Sequence, residues 1–131
     1  MAAVIVDTSA IYALLDRSDA NHAQAVVILG KLRDNGDVVV MTNLVLAETH
    51  ALLLSKLGYT AARTWLRGQI WPVERVLPED EERAVDIVYS YEDKTFSYTD
   101  ATTFAVAERL GIEQAFAFDR HFLQFGLVLV E

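Results

Sequence analysis

The chain has 131 residues, of which 53% are hydrophobic, and its formal net charge at pH 7 is −8. This length and composition suit one domain with a sizeable core, so we expect a single domain over residues 1–131. The acidic charge argues against a protein that coats nucleic acid nonspecifically, because such proteins neutralise phosphates with a basic surface.

Three further properties of the sequence concern membranes and compartment. The longest apolar runs, at 44–47 and 51–54, fall well short of the roughly 20 residues that a spanning helix needs. The N-terminus lacks the basic region of a signal peptide. No cysteine is present, which fits a reducing compartment. We therefore expect a cytoplasmic protein that does not contact a membrane.

The apolar pattern alternates between strands and helices along the chain. Strands are predicted at 3–6, 38–41, 73–77, 115–118 and 127–130. Helices are predicted at 8–15, from a cap at 19 to a stop at 34–36, at 43–57, at 61–69, at 78–91 and at 99–110. A short helical turn is expected around Phe122.

Residue types at the element ends support this assignment. Asp19, Asn43 and Thr60 are predicted N-caps of the helices that follow them. Pro72 and Pro78 bracket the third strand, which predicts an edge strand. Strand-to-helix crossovers favour parallel pairing with helices on both faces. We therefore predict an α/β fold, a three-layer α/β/α sandwich around a central parallel sheet of about five strands.

Four acidic residues fall on four separate predicted elements: Asp7, Glu48, Asp100 and Asp119. Asp7 and Asp119 follow apolar strands, so both should stand at the carboxyl edge of the sheet, where open α/β folds bind ligands. Clustered carboxylates repel one another, and we expect this repulsion to raise the pKa of at least one of them in the metal-free protein. A hard cation such as Mg²⁺ or Mn²⁺ relieves the repulsion, and the lack of cysteine removes any soft thiolate site. The pattern predicts a divalent-metal site.

Each acid also has an ordinary structural explanation. Asp7 and Asp119 can cap the helices that begin directly after them. Asp100 stands three residues after Ser97, a spacing that imitates a capping box. Glu48 can be a solvated position on its helix. The joint occurrence of the four acids favours the metal site over three unrelated caps and a solvated side chain.

Four short segments resemble the four motifs of the PIN domain family. They are Val6-Asp7-Thr8-Ser9-Ala10, Leu46-Ala47-Glu48, Ser97-Tyr98-Thr99-Asp100-Ala101 and Phe118-Asp119-Arg120-His121-Phe122. The resemblance covers essentially the whole chain, and its short form is similar to the VapC toxins of bacterial and archaeal toxin–antitoxin pairs. One departure is Ala117, where many relatives carry Thr or Ser.

This resemblance implies a metal-dependent endoribonuclease that hydrolyses RNA and is neutralised by a small antitoxin inserted into the active-site groove. It also implies a homodimer. Asp7, Glu48 and Asp100 would hold the principal metal ion. Asp119 would hold a second ion or orient the attacking water.

Polar neighbours of these acids resemble the supporting residues of the family. Thr8, Ser9 and Thr99 could orient the carboxylates or bind the scissile phosphate, although helix capping explains them equally well. Arg120 adjoins Asp119 and is a candidate phosphate contact. Asp93 is close enough in sequence to Asp100 to join the same pocket.

The remaining candidate side chains carry weaker signals. His22, His50 and His121 lie far apart in the sequence and lack the spacing of metal ligands, so surface or supporting roles are expected. Arg63 and Arg67 flank Trp65, and this trio could present two cations and an aromatic ring to RNA. Alternatively, Trp65 lies in the core or a dimer contact and both arginines are solvated.

Two rival functions stay open at this point. One is a catalytically silent PIN-like module that binds RNA or protein. The other is a different α/β metal-dependent phosphoesterase, although an aspartyl phosphatase would need a second acid where this chain has Ser9. The apolar helices around 46–57 and Trp65 exceed what a small sandwich can cover, which favours a homodimer independently of the resemblance.

Overall fold

A computed structural model describes residues 2–131, and this range contains five strands separated by one or two helices each, seven helices in all. The strands are β1 (Ala3–Val6), β2 (Val38–Thr42), β3 (Val73–Glu74), β4 (Gln114–Phe116) and β5 (Val128–Leu129). The helices are α1 (Thr8–Leu15), α2 (His22–Asp34), α3 (Asn43–Lys56), α4 (Tyr59–Gly68), α5 (Pro78–Ser90), α6 (Tyr98–Leu110) and α7 (Arg120–Phe125). None of the helices in residues 2–131 is long and apolar enough to cross a bilayer.

The five strands form one sheet in the order β3-β2-β1-β4-β5, and every neighbouring pair is parallel. The predicted strand around Val73 is at an edge of this sheet, as the flanking prolines indicate. At the centre, Val6 of β1 lies opposite Phe116 of β4. The carboxyl ends of these two strands therefore meet at the same edge of the sheet.

Successive residues of β1 face opposite layers, as the pleat of a strand requires. Ile5 packs into a core with α5, α6 and α7 that includes Phe104 and Phe122. Val4 and Val6 pack into a second core with α1, α2 and α3 that includes Phe116. Burial on both faces explains the continuous apolar runs of the central strands. The predicted three-layer α/β/α sandwich with five parallel strands is confirmed.

The N-caps of three helices differ from the prediction. Thr42 caps α3, since its Oγ1 accepts the N–H of Val45 at 3.1 Å, whereas the Oδ1 of Asn43 accepts the N–H of Val76 at 2.8 Å. The hydroxyl at the end of β2 thus takes the cap, and Asn43 instead ties α3 to the segment after β3.

The other two predicted caps lie close to the helix starts without capping them. Asn21 is the N-cap residue of α2, and Asp19 closes the preceding turn by accepting the N–H of Asn21 at 2.8 Å. Thr60 lies inside α4, which begins after Gly58 without a side-chain cap. Gly58 has a φ of 96°, a conformation that side chains disfavour, so the chain turns there and the helix starts earlier than predicted.

An ion pair at its C-terminal end anchors α6, the helix that carries Asp100. Arg109 Nε donates to Asp80 Oδ1 of α5 at 2.9 Å, and the Asp80 carboxylate also accepts the N–H of Leu77 at 2.8 Å. Asp80 is buried, with 2% of its surface exposed. The ion pair holds α6 against α5. It thereby helps to position the whole helix, including its first turn at the edge of the sheet.

Candidate active site

Asp7 stands directly after β1 and caps α1. Its backbone N–H continues the sheet by donating to the carbonyl of Phe116 at 3.0 Å. Its Oδ2 accepts the Ser9 backbone N–H at 3.2 Å and the Ser9 hydroxyl at 2.7 Å. The side chain is buried, so the carboxylate has lost most of its contact with water.

The pKa of Asp7 is raised from 3.8 to about 6. Burial is the largest cause, because a low-dielectric environment disfavours the charged form. The bonds from Ser9 oppose this shift, and the charges of Asp100 and Asp119 add to it as smaller contributions. The expectation of a raised pKa is thus confirmed, but like-charge repulsion is not its main cause.

Asp100 is on the first turn of α6 and completes a capping box with Ser97. The Asp100 backbone N–H donates to Ser97 Oγ at 3.0 Å, and Asp100 Oδ2 accepts the Ser97 N–H at 3.4 Å. The same Oδ2 lies 2.9 Å from Nδ1 of His121. The capping role and the site role therefore coincide, since one oxygen faces both the helix start and a neighbouring element.

Asp119 caps α7 at the end of the segment that follows β4. Its Oδ1 accepts the backbone N–H of His121 at 2.9 Å and lies 3.4 Å from the Nδ1 of the same histidine. One potential ligand atom from each of Asp100, Asp119 and His121 falls within 4.8 Å of the others. Two of the four predicted acids thus converge with a histidine, and the charge of Asp7 is close enough to be influenced by both.

The hydroxyl of Ser9 connects the segment before Asp119 to α1, and position 117 supplies no hydroxyl because it is an alanine. Ala117 is buried, and the backbone N–H of Phe118 donates to Ser9 Oγ at 3.0 Å. Ser9 therefore bridges Asp7 and the β4 loop with a single hydroxyl.

Glu48 is set apart from the other acids. Its side chain is exposed on α3, and it is not part of the close group of ligand atoms found within residues 2–131. Its neighbour Thr49 is buried and donates its hydroxyl to Thr8 Oγ1 at 3.1 Å, beside Asp7. Glu48 thus borders the contact between α1 and α3, and its metal role stays a prediction.

Thr99 and Arg120 stand at the same helix starts as the acids. Thr99 uses its carbonyl to accept the hydroxyls of Thr102 and Thr103, each at 2.9 Å, and its half-buried side chain stands next to Asp100. Arg120 is exposed beside Asp119. Both positions are compatible with contact to a phosphate, and neither role is fixed by a contact within the chain.

Asp93 is not a member of this pocket. Its side chain is 76% exposed and pairs with Lys94 Nζ at 2.8 Å. That hydrogen bond lowers the pKa of Asp93. Closeness in sequence to Asp100 was a poor guide, because the loop before α6 carries Asp93 to the surface.

The arginines of α4 make a different aromatic contact from the one the sequence suggested. Trp65 is half-buried and packs against the core on the α1 and α2 side of the sheet. The Arg63 guanidinium lies 4.8 Å from the ring centre of Tyr59, and its Nη1 donates to the Tyr59 hydroxyl at 2.6 Å. Arg63 and Arg67 are exposed. The alternative with Trp65 in the core and solvated arginines is the one observed.

His121 is the residue that spacing analysis undervalued. The histidines are indeed scattered in sequence, but α7 carries the imidazole of His121 back to Asp100, twenty-one positions earlier. A usable signal was present: a histidine two residues after an acid that caps a helix donates its backbone N–H to that acid and so lies beside it.

The donor set fits a hard divalent cation. Carboxylate oxygens are the ligands that Mg²⁺ and Mn²⁺ prefer. Asp100 and Asp119 supply them in the close group, and Asp7 is near enough for their charges to raise its pKa. Within residues 2–131, no basic side chain is among the groups that shift the pKa of Asp7, whereas burial and the charges of Asp100 and Asp119 raise it. A bound cation would supply a countercharge.

The α/β sandwich with acids at the carboxyl edge of its sheet defines a PIN domain. Residues 4–127 match the model of that family, and the chain belongs to it. The chain is similar to the 23S rRNA-specific endonuclease VapC20 of Mycobacterium tuberculosis, with 35% identity over 130 residues that cover 97% of each protein. It is also similar to the ribonuclease VapC26 of the same organism, with 28% identity over 123 residues, 91% of this chain and 89% of the relative.

A solved structure supports the same assignment. The crystal structure of Mycobacterium tuberculosis VapC20, described as a sarcin–ricin loop cleaving toxin, superposes with a TM-score of 0.83 at 35% identity. The match covers 95% of this chain and 96% of the other. The predicted family and the predicted likeness to VapC toxin ribonucleases are confirmed.

Proposed function

We propose that this protein is a metal-dependent endoribonuclease that hydrolyses RNA phosphodiester bonds and acts as the toxin of a type II toxin–antitoxin pair. The observation that carries the proposal is the meeting of Asp7, Asp100 and Asp119 at the carboxyl edge of the sheet in a PIN domain. The endonuclease VapC20 and the ribonuclease VapC26 support it, because each matches this chain over nearly its whole length.

In this proposal Asp7, Glu48 and Asp100 hold the principal ion, Mg²⁺ or Mn²⁺, and Asp119 holds a second ion or orients the attacking water. When bound by these residues, such an ion would supply a water of lowered pKa and a positive charge to offset the charge that develops on the phosphate. Ser9 keeps the Asp7 carboxylate oriented with two hydrogen bonds. Asp7 and Asp119 together retain acceptor oxygens beyond those used in their caps, since an ionised carboxylate has about four acceptor positions.

The helix starts favour an anionic substrate once the carboxylates are neutralised. Asp7 and Asp119 are the N-cap residues of α1 and α7, and Asp100 is in the first turn of α6. The backbone N–H groups at a helix start attract a phosphate. Thr8, Ser9, Thr99 and Arg120 stand at these starts, and we assign them to support the acids or to contact the scissile phosphate.

The relatives direct the choice of substrate. VapC20 acts on 23S rRNA, so we propose this RNA, and its sarcin–ricin loop in particular, as the first substrate to test. We propose a small antitoxin protein as the partner, as the resemblance to the toxins of toxin–antitoxin pairs implies. We further propose that residues 1–131 form one PIN domain and that it acts in the cytoplasm, where ribosomal RNA is found.

Cleavage can be tested with purified protein, intact ribosomes and total cellular RNA. New 5′ ends are mapped with Mg²⁺, with Mn²⁺ and with a chelator, and Asp7→Asn serves as the inactive control. We expect metal-dependent ends at defined sites in the wild-type reaction only. Equal cleavage with the chelator would contradict the metal dependence. No cleavage of any RNA with either metal would contradict the nuclease assignment and favour a silent binding module.

Dimer formation is a separate proposal. Leu54 and Leu66 are 46% and 44% exposed on the α3–α4 hairpin, and a second copy of the chain would cover such side chains. Light scattering across micromolar concentrations should give twice the monomer mass. A constant monomer mass would rule the homodimer out.

A further inference from the structure

We infer that His121 is a positioning residue of this site: its Nδ1–H group holds the Asp100 and Asp119 carboxylates in place for a shared cation. The inference rests on the proposed function, because it concerns how the same site binds its metal. The imidazole lies between two acids that come from different elements, 2.9 Å from Asp100 Oδ2 and 3.4 Å from Asp119 Oδ1.

The hydrogen-bond network assigns the proton of the imidazole ring. An ionised carboxylate has acceptors only, so the 2.9 Å contact with Asp100 requires a proton on Nδ1 of His121. In the neutral ring Nε2 is then an acceptor, and it faces the hydroxyl of Thr95 at 3.4 Å. The Nδ1–H group therefore hydrogen-bonds to Asp100 and lies 3.4 Å from Asp119 Oδ1, so its positive end faces both acids.

Contacts on the other sides of the ring restrict its orientation. The backbone N–H of His121 donates to Asp119, which fixes the residue in the first turn of α7. The ring packs edge-on against Phe96, with centroids 5.4 Å apart and planes at 73°. The next residue, Phe122, is fully buried and contacts Phe104. The imidazole thus reaches Asp100 from a helix that the core holds in place.

The imidazole counteracts the repulsion between the two acids. Asp100 and Asp119 repel each other when both are ionised, because like charges repel. A donor between them offsets part of that repulsion and leaves the outer carboxylate oxygens for a cation. Groups that orient metal ligands in this way typically change metal affinity roughly 10- to 100-fold when they are removed.

The cap of α7 does not depend on the imidazole. The bond to Asp119 uses the backbone N–H, which almost any residue supplies, and 26% of the His121 side chain is exposed. Substitutions at this position therefore alter the acid contacts while leaving the fold in place. This separation makes the inference testable by metal binding in the intact protein.

Three substitutions separate the roles of the two ring nitrogens. The amide nitrogen of His121→Asn can take the place of Nδ1, whereas the amide of His121→Gln takes the place of Nε2, and His121→Ala has neither. His22→Asn is the matched control, since Nδ1 of His22 also makes a hydrogen bond, to the carbonyl of Ala13 at 2.7 Å. Circular dichroism verifies that each variant is folded.

Mg²⁺ and Mn²⁺ affinities of the metal-free proteins are measured by calorimetry. We expect His121→Ala and His121→Gln to bind both ions roughly 10- to 100-fold more weakly, and His121→Asn and His22→Asn to stay within about threefold of wild type. Unchanged affinity in His121→Ala overturns the inference. So does a loss confined to Mn²⁺, because that pattern marks an imidazole that ligates the metal directly, given the preference of Mg²⁺ for oxygen.

RNA cleavage by the same variants separates this inference from the proposed function. If the metal affinities of wild type and the variants follow the predicted order but wild type cleaves no RNA, the positioning role stands and the nuclease assignment fails. If wild type cleaves RNA and His121→Ala binds metal normally, only the positioning role fails. No metal binding by wild type overturns both.

Discussion

The Ser9 hydroxyl donates to Asp7 Oδ2 at 2.7 Å while accepting the backbone N–H of Phe118 at 3.0 Å. Through this one oxygen, the first acid of the site is coupled to the segment that leads to the fourth, Asp119. The Ser9 hydroxyl thus connects the residue after β1 to the segment after β4 at the carboxyl edge of the sheet.

Ser9→Ala should weaken metal binding and RNA cleavage by about tenfold or more, because Asp7 loses an orienting donor. Ser18→Ala is the matched control, since Ser18 Oγ donates to Asp16 Oδ1 at 2.6 Å with the same spacing on an exposed turn. Calorimetry with Mn²⁺ and single-turnover cleavage of RNA provide the measurements. Equal activity of the two alanine variants would show that the Ser9 bond does not support the site.

Asp7 should make the metal-free protein less stable as pH rises. Its folded pKa is raised from 3.8 to about 6, mainly by burial, so the folded state keeps a proton that the unfolded state has lost within this window. The stabilisation is complete below the lower value, falls as pH rises towards the upper one, and is absent above it. The free energy of unfolding should change by an amount on the order of 3 kcal/mol.

Asp7→Asn removes this titration and is the appropriate comparison. Urea unfolding in a chelator, at several values between about pH 4 and 7.5, should show wild-type stability falling relative to the variant. At the upper end the variant should be the more stable protein, yet it should lose RNA cleavage and most of the stabilisation by Mn²⁺. Parallel pH profiles for the two proteins would contradict a raised pKa at Asp7.

The Arg109–Asp80 pair should contribute strongly to stability. Arg109→Met leaves the buried Asp80 carboxylate without its cation, which typically costs about 3–5 kcal/mol. The control is Arg83→Met, because the Arg83–Glu108 pair has side chains that are 42% and 49% exposed, and such pairs contribute about 1 kcal/mol or less. Denaturant midpoints of the two variants give the comparison. A similar small loss in both would mean that water screens Asp80 as well.

The sequence alone was sufficient to predict the parallel sheet and the edge of that sheet at which Asp7 and Asp119 lie. Central strands buried on both faces appear as uninterrupted apolar runs. The acids that follow β1 and β4, directly in the case of Asp7 and after two further residues in the case of Asp119, therefore lie at the carboxyl edge. Helix caps were less predictable: Thr42 and Asn43 are adjacent residues with similar capping ability, and only the tertiary bond from Val76 decides between them.

The chemistry of the site depended on features that spacing does not contain. The role of His121 follows from a contact between α6 and α7, and the raised pKa of Asp7 follows from its burial. Both are properties of the packed structure. The family resemblance, by contrast, grouped Asp7, Glu48 and Asp100 around the principal ion, whereas the close group of potential ligand atoms in residues 2–131 consists of Asp100, Asp119 and His121.

Glu48 is the acid whose role depends most on experiment. It is exposed on α3 and lies outside the close group of ligand atoms, yet it stands next to Thr49, whose hydroxyl contacts Thr8 beside Asp7. Within residues 2–131, the exposed Glu48 side chain makes no hydrogen bond or ion pair that would restrain it, so it is free to turn towards a metal held by Asp7 and Asp100. We expect Glu48→Gln to reduce RNA cleavage by roughly a hundredfold and to lower Mn²⁺ affinity.

The stability of the metal-free Glu48→Gln protein should match that of wild type, because an exposed side chain contributes little to folding. Asp93→Asn is the control, an exposed acid paired with Lys94 away from the pocket, and it should cleave RNA normally. The two variants are compared with wild type under single-turnover conditions at saturating Mn²⁺ and again at limiting Mn²⁺. If Glu48→Gln is as active as Asp93→Asn at both concentrations, Glu48 is a solvated residue of α3 and the metal is held by the other three acids alone.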